Sequence, residues 1–183
     1  RLGTAVPFLN EVWLADAMKY HILNSKTMEV KQTVSAHSGN ILCMTFITNQ
    51  CDSGSQKDES KGQQDSLNWV VTTSWDSSIC FWDCVTRALI YKIEGAHTTS
   101  VRNIVFLPYF QPNSKEMCYF ISTPTRKTCS FWSGGLDGMV HSWMLKVLDG
   151  HSSSESQERR NSNQRTPVPL KVSQANSIPE SIA

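Results

Sequence analysis

The chain has 183 residues, of which 39% are hydrophobic and 18% are charged. This length is typical of one ordinary domain or two very small ones, and the apolar content is enough to build a core. The 17 lysines and arginines nearly cancel the 16 aspartates and glutamates, which argues against a nucleic-acid binder with a basic surface. No apolar run approaches the roughly 20 residues of a membrane helix, so no membrane span is predicted.

Short runs rich in β-branched and aromatic residues follow one another along the chain, separated by turn signals. In chain order the predicted strands are EVWLADA, KYHILN, NILCMTFI, NWVVTTS, SSICFWD, ALIYKIE, SVRNIVFLP, CSFWSGG and MVHSWML. None of them shows the 3.6-residue apolar period of a globular helix. Several are apolar on both alternating faces, which indicates sheets covered on both sides. The sequence therefore predicts an all-β fold.

Three segments lack the apolar residues that a packed strand needs. Residues 48–67 hold almost no large apolar side chain, which predicts a disordered inserted loop. Residues 109–128 are interrupted by prolines and predict a looser loop. Residues 149–183 contain eight serines, three prolines and no aromatic residue, which predicts a disordered tail or linker. Within that tail, Ser162 and Thr166 stand in contexts that resemble kinase sites.

The six cysteines are widely spaced, and only Cys80 and Cys84 lie close together. Tetrahedral zinc sites usually combine two such pairs, so neither a metal site nor a disulfide framework is predicted. A secreted, disulfide-bonded β domain is the alternative, which six free thiols would exclude. The chain contains no Asn-x-Ser/Thr sequon, which favours a cytoplasmic location. It begins with Arg1 rather than Met, so we expect a piece of a longer protein.

One frame of residues occurs twice in the chain. His37 precedes Trp82 by 45 positions, and His97 precedes Trp143 by 46 positions. In both copies an Asp stands six positions before the Trp. A buried carboxylate needs donors, which imidazole N–H, hydroxyl and turn amide groups supply, and a buried indole N–H needs an acceptor. The recurring residue types are therefore chemically matched to one another.

This frame resembles the WD-repeat family of β-propellers, in which each repeat of about 40 to 45 residues supplies a four-stranded antiparallel blade. The resemblance covers 11–145 and implies about three blades within 1–148. The first blade is degenerate, with Met18 at the turn and Ile22 near the Trp position. Closed rings of this kind have four to eight blades, so the resemblance implies a partial propeller whose remainder is missing.

The family has a hydrogen-bonded network of His, Ser or Thr, Asp and Trp inside each blade. Carried over to this chain, the resemblance implies two structural networks, formed by His37, Thr72, Asp76 and Trp82 and by His97, Ser133, Asp137 and Trp143. A hydrolase triad would use similar residue types, but the Gly-x-Ser-x-Gly elbow is absent. The segment SGGLDG at 133–138 leads into a strand rather than a helix, which is unlike a phosphate loop. No catalytic residue, cofactor or metal site is predicted.

Trp75 and Leu136 each stand immediately before the turn Asp, where an exposed hairpin would prefer a polar residue. In WD-repeat proteins this position lies on the face most often used for partners. A large apolar side chain there either packs against a neighbouring turn or serves as a binding anchor. Trp is the residue type most enriched among anchors, so Trp75 and Leu136 are the candidate partner-binding residues. Trp69 and Trp132, at strand starts between blades, are predicted to lie in the core.

The sequence predicts a non-catalytic scaffold for protein interactions, belonging to a larger signalling or trafficking regulator. Its expected partners are other proteins or the missing remainder of the same propeller, with no small-molecule substrate. A second hypothesis is a propeller tail of a DENN-type exchange factor or an inositol-phosphate phosphatase whose activity lies elsewhere. A third, a propeller enzyme, would need convergent polar side chains on the inner strands, and these offer only Asn40, Arg102 and Asn103.

Overall fold

A computed structural model describes residues 2–48, 67–110, 117–118, 121–123, 126–148 and 170–179. Its strands are β1 (Leu2–Phe8), β2 (Glu11–Asp16), β3 (Lys19–Asn24), β4 (Val30–Ser35), β5 (Ile41–Thr48), β6 (Asn68–Ser74), β7 (Ile79–Asp83), β8 (Leu89–Ile93), β9 (Val101–Phe106), β10 (Tyr109–Phe110), β11 (Met117–Cys118), β12 (Ile121–Thr123), β13 (Arg126–Gly135), β14 (Met139–Leu148) and β15 (Leu170–Pro179). No helix occurs among these residues, so the predicted all-β class is confirmed. The same residues accordingly contain no helix long and apolar enough to cross a membrane.

Three of the antiparallel sheets stack as blades, and β10 and β11 form a separate two-stranded sheet. Blade 1 consists of β1 to β4 and blade 2 of β5 to β8, each in sequence order. Blade 3 consists of β9, β13, β14 and β15, with the short β12 beside the start of β13. The first strand of each blade contacts the first strand of the next, since β1 lies against β5 and β5 against β9. This arrangement is a partial β-propeller.

Each neighbouring pair of blades encloses one apolar core. Between blades 1 and 2, the ring of Tyr20 meets the edge of Trp82 with centroids 5.2 Å apart. Between blades 2 and 3, Phe81 meets Phe131 in the same manner at 5.8 Å. Strand β6 lies between the two cores and is buried along nearly its whole length. Its residues are therefore apolar or small on both faces, as a strand covered on both sides requires.

A polar contact also joins blades 1 and 2 at the surface. Arg87, in the turn between β7 and β8, donates to the Glu11 carboxylate at 2.7 Å and to Gln32 at 3.2 Å. Lys31 contacts the same carboxylate at 2.9 Å. These ion pairs lie at the rim of the blades and are only partly buried. Pairs in contact with solvent contribute little to stability, so the apolar cores hold the blades together.

Six of the fifteen strands are absent from the nine predicted runs, namely β1, β4, β10, β11, β12 and β15. Strand β1 carries Gly3 and Pro7, which break the usual strand pattern, but it pairs only with β2 among the described residues, and an edge strand tolerates proline. Part of the predicted loop over 109–128 instead forms the short strands β10, β11 and β12. The predicted loop over 48–67 lies, for 49–66, outside the described residues.

The predicted tail also needs correction. Residues 170–179 form β15, which pairs with β14 along the outer side of blade 3. The sequence LKVSQANSIP has a few alternating apolar residues. The prediction used the average composition of the whole tail, which is polar, and so did not identify this strand. Backbone pairing with an existing strand edge stabilises such a segment without a large side-chain core. Residues 149–169 and 180–183 lie outside the described residues.

Candidate functional site

The first predicted network is assembled around the turn between β6 and β7. The link from β4 to β5 places His37 beside this turn, where its Nδ1 lies 3.0 Å from Asp76 Oδ2. On the other side of the ring, Nε2 lies 2.8 Å from the hydroxyl of Thr72 on β6. Trp82 on β7 donates its indole N–H to the same hydroxyl at 3.0 Å. The structure thus brings together all four residues of this set.

One assignment of protons is consistent with all of the hydrogen bonds that link Asp76, His37, Thr72 and Trp82. Neutral His37 donates from Nδ1 to Asp76 and accepts at Nε2 from Thr72, whose oxygen accepts from Trp82. Burial lowers the pKa of His37 below its usual value and outweighs the opposing effect of the Asp76 carboxylate. A second proton on the imidazole would take away the acceptor of the Thr72 hydroxyl. The network is therefore built for the neutral imidazole.

The Asp76 carboxylate has partners that the sequence analysis did not identify. Ser78 donates from its hydroxyl at 2.6 Å and from its backbone N–H at 3.0 Å, and Ser38 donates from its N–H at 3.0 Å. Burial would raise the pKa of Asp76, but these hydrogen bonds and the nearby His37 hold it well below its usual range. The carboxylate is therefore ionised and fully engaged within the turn.

The second network repeats this geometry in blade 3. His97 Nδ1 lies 3.0 Å from Asp137 Oδ1, and its Nε2 lies 2.8 Å from the Ser133 hydroxyl. Trp143 donates its indole N–H to that hydroxyl at 2.8 Å. The backbone N–H of Thr98 donates to Asp137 at 3.0 Å, as Ser38 does in blade 2. A hydroxyl residue directly follows the His in both copies, but the shorter contact is made by its backbone N–H, which almost any residue supplies, so the sequence carried no specific signal for this partner.

The two networks differ in the residue next to the imidazole. In blade 2, Cys80 pairs with Thr72 across the strands, and its sulfur lies 4.0 Å from His37 Nδ1. In blade 3 the same register is occupied by His141, whose ring stacks on His97 with centroids 4.2 Å apart. The Nδ1 of His141 lies 2.8 Å from the Ala96 carbonyl oxygen. Sequence analysis missed this histidine, since the matching residue of the other copy is a cysteine.

Blade 1 contains no such network among its described residues. Leu14 pairs with His21 at the register where Thr72 pairs with Cys80 in blade 2. The same register places Leu23, rather than the predicted Ile22, at the Trp position. Leu14 therefore stands in place of the hydroxyl residue, and Leu23 stands in place of the tryptophan. Blade 1 lacks the polar groups of the network for this reason.

Four cysteines, Cys43, Cys80, Cys84 and Cys129, are free thiols. Burial raises the pKa of Cys80, Cys84 and Cys129 to about 12 in each case. At neutral pH these groups are protonated, and a protonated buried thiol is neither a good nucleophile nor a metal ligand. Cys80 and Cys84 thus lie in the core between blades 1 and 2 as small apolar residues.

Trp75 and Leu136 occupy matching places directly above the two networks. The Trp75 N–H donates to the Asn40 carbonyl at 2.9 Å, and the Leu136 N–H donates to the Ser100 carbonyl at 3.0 Å. The side chains remain 58% and 55% exposed. Each residue thus has a fixed backbone and a free apolar side chain. We refer to Trp75 and Leu136, with the turns that carry them, as the turn face.

Two glycines are required by close packing at the turn face. A Cβ added to Gly39 would lie 2.7 Å from the Asp76 nitrogen and 3.0 Å from the Trp75 Cβ. A Cβ on Gly135 would collide with His97 Nδ1 and lie 2.5 Å from Asp137 Oδ1. These distances are too short for any side chain, so both glycines allow the turn to close over the imidazole.

Replacing Gly135 with alanine should lower the free energy of unfolding by about 1 to 2 kcal/mol, because the methyl group displaces the imidazole or the carboxylate of the network. Gly134→Ala is the matched control, since a Cβ at this neighbouring position meets nothing within 4 Å. It should change stability by no more than about 0.5 kcal/mol. Urea unfolding midpoints of the two variants test the difference, and equal midpoints would contradict the packing role of Gly135.

The fold and the two networks define this chain as a partial β-propeller with rigid turns on one face. No protein-family model and no curated protein matches it. Among solved structures, the chain is similar to one described as the structure of U3-55K, with 13% sequence identity and a TM-score of 0.45. The match covers 73% of this chain and 32% of that chain, so this chain spans about a third of the matched chain's length.

Proposed function

We propose that this chain is a non-catalytic WD-repeat scaffold that binds other proteins through the turn face. The WD-repeat assignment is supported by the two networks of His, hydroxyl, Asp and Trp, which repeat the same contacts in adjacent blades. The scaffold would act in the cytoplasm as part of a larger signalling or trafficking regulator.

The observation that carries this proposal is the exposure of Trp75 on a fixed backbone. The indole is mostly open to solvent, while Asn40 and the closely packed Gly39 hold its main chain. A preorganised aromatic loses little conformational entropy on binding, and tryptophan is the residue type most enriched at binding hot spots. Exposure of so large an apolar group to water is otherwise unfavourable.

The chemistry of the turn face favours an apolar pocket as its target. The carboxylates of Asp76 and Asp137 are engaged by histidine and backbone groups beneath the face. They are thus poorly placed to recruit a basic partner. Trp75 would insert into a cavity on the partner, and Leu136 would extend the contact from the neighbouring blade.

The test uses a phage-displayed library of random peptides selected on the whole chain. Replacing Trp75 with alanine should weaken the selected peptides about 30-fold, which corresponds to the roughly 2 kcal/mol of an aromatic hot spot. Trp132→Ala, which removes another exposed indole outside the turn face, should leave their affinity unchanged. Isothermal titration calorimetry gives both affinities, and thermal unfolding of the same samples checks that each variant is folded.

Three outcomes would contradict the proposal. They are a failure to select any peptide on the wild-type chain, equal affinity for the wild-type chain and Trp75→Ala, and an equal loss in Trp75→Ala and Trp132→Ala. A large loss of stability in Trp75→Ala with unchanged affinity per folded molecule would assign this indole to the core instead.

A further inference from the structure

The same tight turn joins the third and fourth strands of blades 1 and 2. In blade 2, Asp83 Oδ1 accepts the backbone N–H groups two and three positions further along the chain, at 2.9 and 2.6 Å. Asn24 Oδ1 does the same in blade 1, at 2.9 and 3.2 Å. Each turn also has one residue in the left-handed region, Met28 with φ 60° and Arg87 with φ 61°. The side chain that ends the third strand thus returns the chain at once as the fourth strand.

Blade 3 has a different residue at this place. Asp83 directly follows Trp82, and the position after the matching Trp143 is occupied by Met144. A thioether is only a weak acceptor, so it does not close a turn as a carboxylate or an amide does. Strand β14 accordingly continues past this point to Leu148, still paired with β13. The fourth strand of blade 3 is supplied by a later part of the chain.

The outer strand of blade 3 also differs in sequence from that of blade 2. Strand β8 reads LIYKI, and Ile90, Tyr91 and Ile93 pack against the core between blades 2 and 3. Strand β15 reads LKVSQANSIP and includes Ala, Asn and Pro, which are depleted in strands. Its connection from β14 is also much longer than a tight turn, and closing a longer connection costs more chain entropy. Both features favour a fourth strand that leaves its edge more readily than β8.

The edge of β14 is long and preformed. This strand has 10 residues, whereas the third strands of blades 1 and 2 have 6 and 5. On one side it is paired with β13 from Val140 to Leu148, which holds its backbone extended. On the other side its antiparallel register with β15 runs from Met139 with Pro179 to Val147 with Leu170. An edge of this kind binds an extended peptide through main-chain hydrogen bonds.

We propose that the outer edge of β14 is a binding site for an extended segment of a partner protein, and that β15 occupies this edge as a replaceable strand. The partner segment runs antiparallel to β14, as β15 does, and residues 170–179 are the model for its sequence. Because β15 must leave before the partner binds, it lowers the apparent affinity of the site. The site consists of a strand edge and does not use the apolar side chains of the turn face.

Fluorescence anisotropy of a labelled peptide with the sequence LKVSQANSIP tests the proposal. In the full chain, the double variant Val172→Pro with Ser173→Pro removes two successive N–H groups of β15, one of which faces β14. Loss of this competing strand should raise the affinity for the peptide at least about tenfold over the wild-type chain, if the open edge makes up at most about a tenth of the wild-type population. Val172→Ala with Ser173→Ala keeps both N–H groups and should bind the peptide as the wild type does.

Two controls locate the bound peptide. A peptide with prolines in place of its Val and Ser should not bind the double proline variant, because it cannot complete the ladder. Adding Trp75→Ala to that variant should leave the affinity for the original peptide unchanged. A loss of affinity on adding Trp75→Ala would place the peptide on the turn face and overturn the proposal. Equal affinity for the wild type and the folded proline variant, or no saturable binding to that variant, would also overturn it.

Hydrogen exchange of the wild-type chain provides a test that does not depend on the folding of any variant. The amides of β15 should exchange through a local opening, faster than the amides that pair β13 with β14. The amides of β8 in blade 2 serve as the reference for an outer strand joined by a tight turn. If the β15 amides exchange only through global unfolding, β15 is a fixed part of the blade and the proposal is wrong.

Discussion

Replacing Trp13 with alanine should lower the free energy of unfolding by about 3 to 5 kcal/mol, the usual cost of truncating a buried aromatic side chain. Trp13 is fully buried between blades 1 and 2, and its ring stacks on Tyr20 with centroids 4.9 Å apart. The cavity would open in the middle of an interface between rigid sheets, which can collapse only in part. Chemical denaturation of the whole chain, followed by circular dichroism, measures the change.

Trp13→Phe distinguishes the loss of the ring from the loss of its polar group. Within the described part of the chain, the indole N–H of Trp13 has no hydrogen-bond acceptor. Phenylalanine keeps most of the apolar volume and removes this unpaired donor, whose burial is unfavourable. We expect a loss of at most about 1 kcal/mol, since the two effects oppose each other. Trp75→Ala is the matched control for an exposed tryptophan and should change stability by less than about 0.5 kcal/mol.

Replacing Asp137 with alanine should lower the free energy of unfolding by about 2 to 3 kcal/mol. The carboxylate accepts hydrogen bonds from His97 Nδ1, from the Thr98 N–H and from the Met139 N–H. The imidazole of His97 is completely buried, so its donor would lose its partner without access to water. Asp137→Asn keeps an acceptor oxygen and should lose less than the alanine variant.

Asp16→Ala serves as the control for the loss of an aspartate. The Asp16 side chain is half exposed, and its hydrogen bond to His21 is long, at 3.4 Å. Its removal should change stability by less than about 0.5 kcal/mol. If Asp137→Ala and Asp16→Ala unfold at the same urea concentration, the network in blade 3 does not stabilise the fold.

The residues of the two networks could be predicted from their spacing in the sequence, because each buried polar group requires a partner of a particular chemical type. A buried imidazole, carboxylate, hydroxyl and indole each need a hydrogen-bond partner. The strands and turns of a blade have similar lengths in each repeat, so the four residues occur at similar distances along the sequence. His97, Ser133 and Asp137 therefore recur in the same frame as their counterparts in blade 2. Partners that act through backbone N–H groups, such as Ser38 and Thr98, carry no comparable requirement on residue type. The close approach of Gly135 to the imidazole is likewise a tertiary contact without a local signature.

The sequence by itself determined the all-β class, because alternation of apolar residues and turn chemistry are local properties of a strand. It did not determine the pairing of β1 or β15, because an edge strand is stabilised by hydrogen bonds to a neighbour rather than by its own apolar pattern. The sequence also treats Trp69 and Trp132 alike, since both stand at strand starts and both are predicted to lie in the core. Trp69 is buried, but Trp132 is 44% exposed, so the prediction for Trp132 is wrong. Only the tertiary structure decides that one is buried and the other exposed, because burial depends on whether a second sheet covers the face.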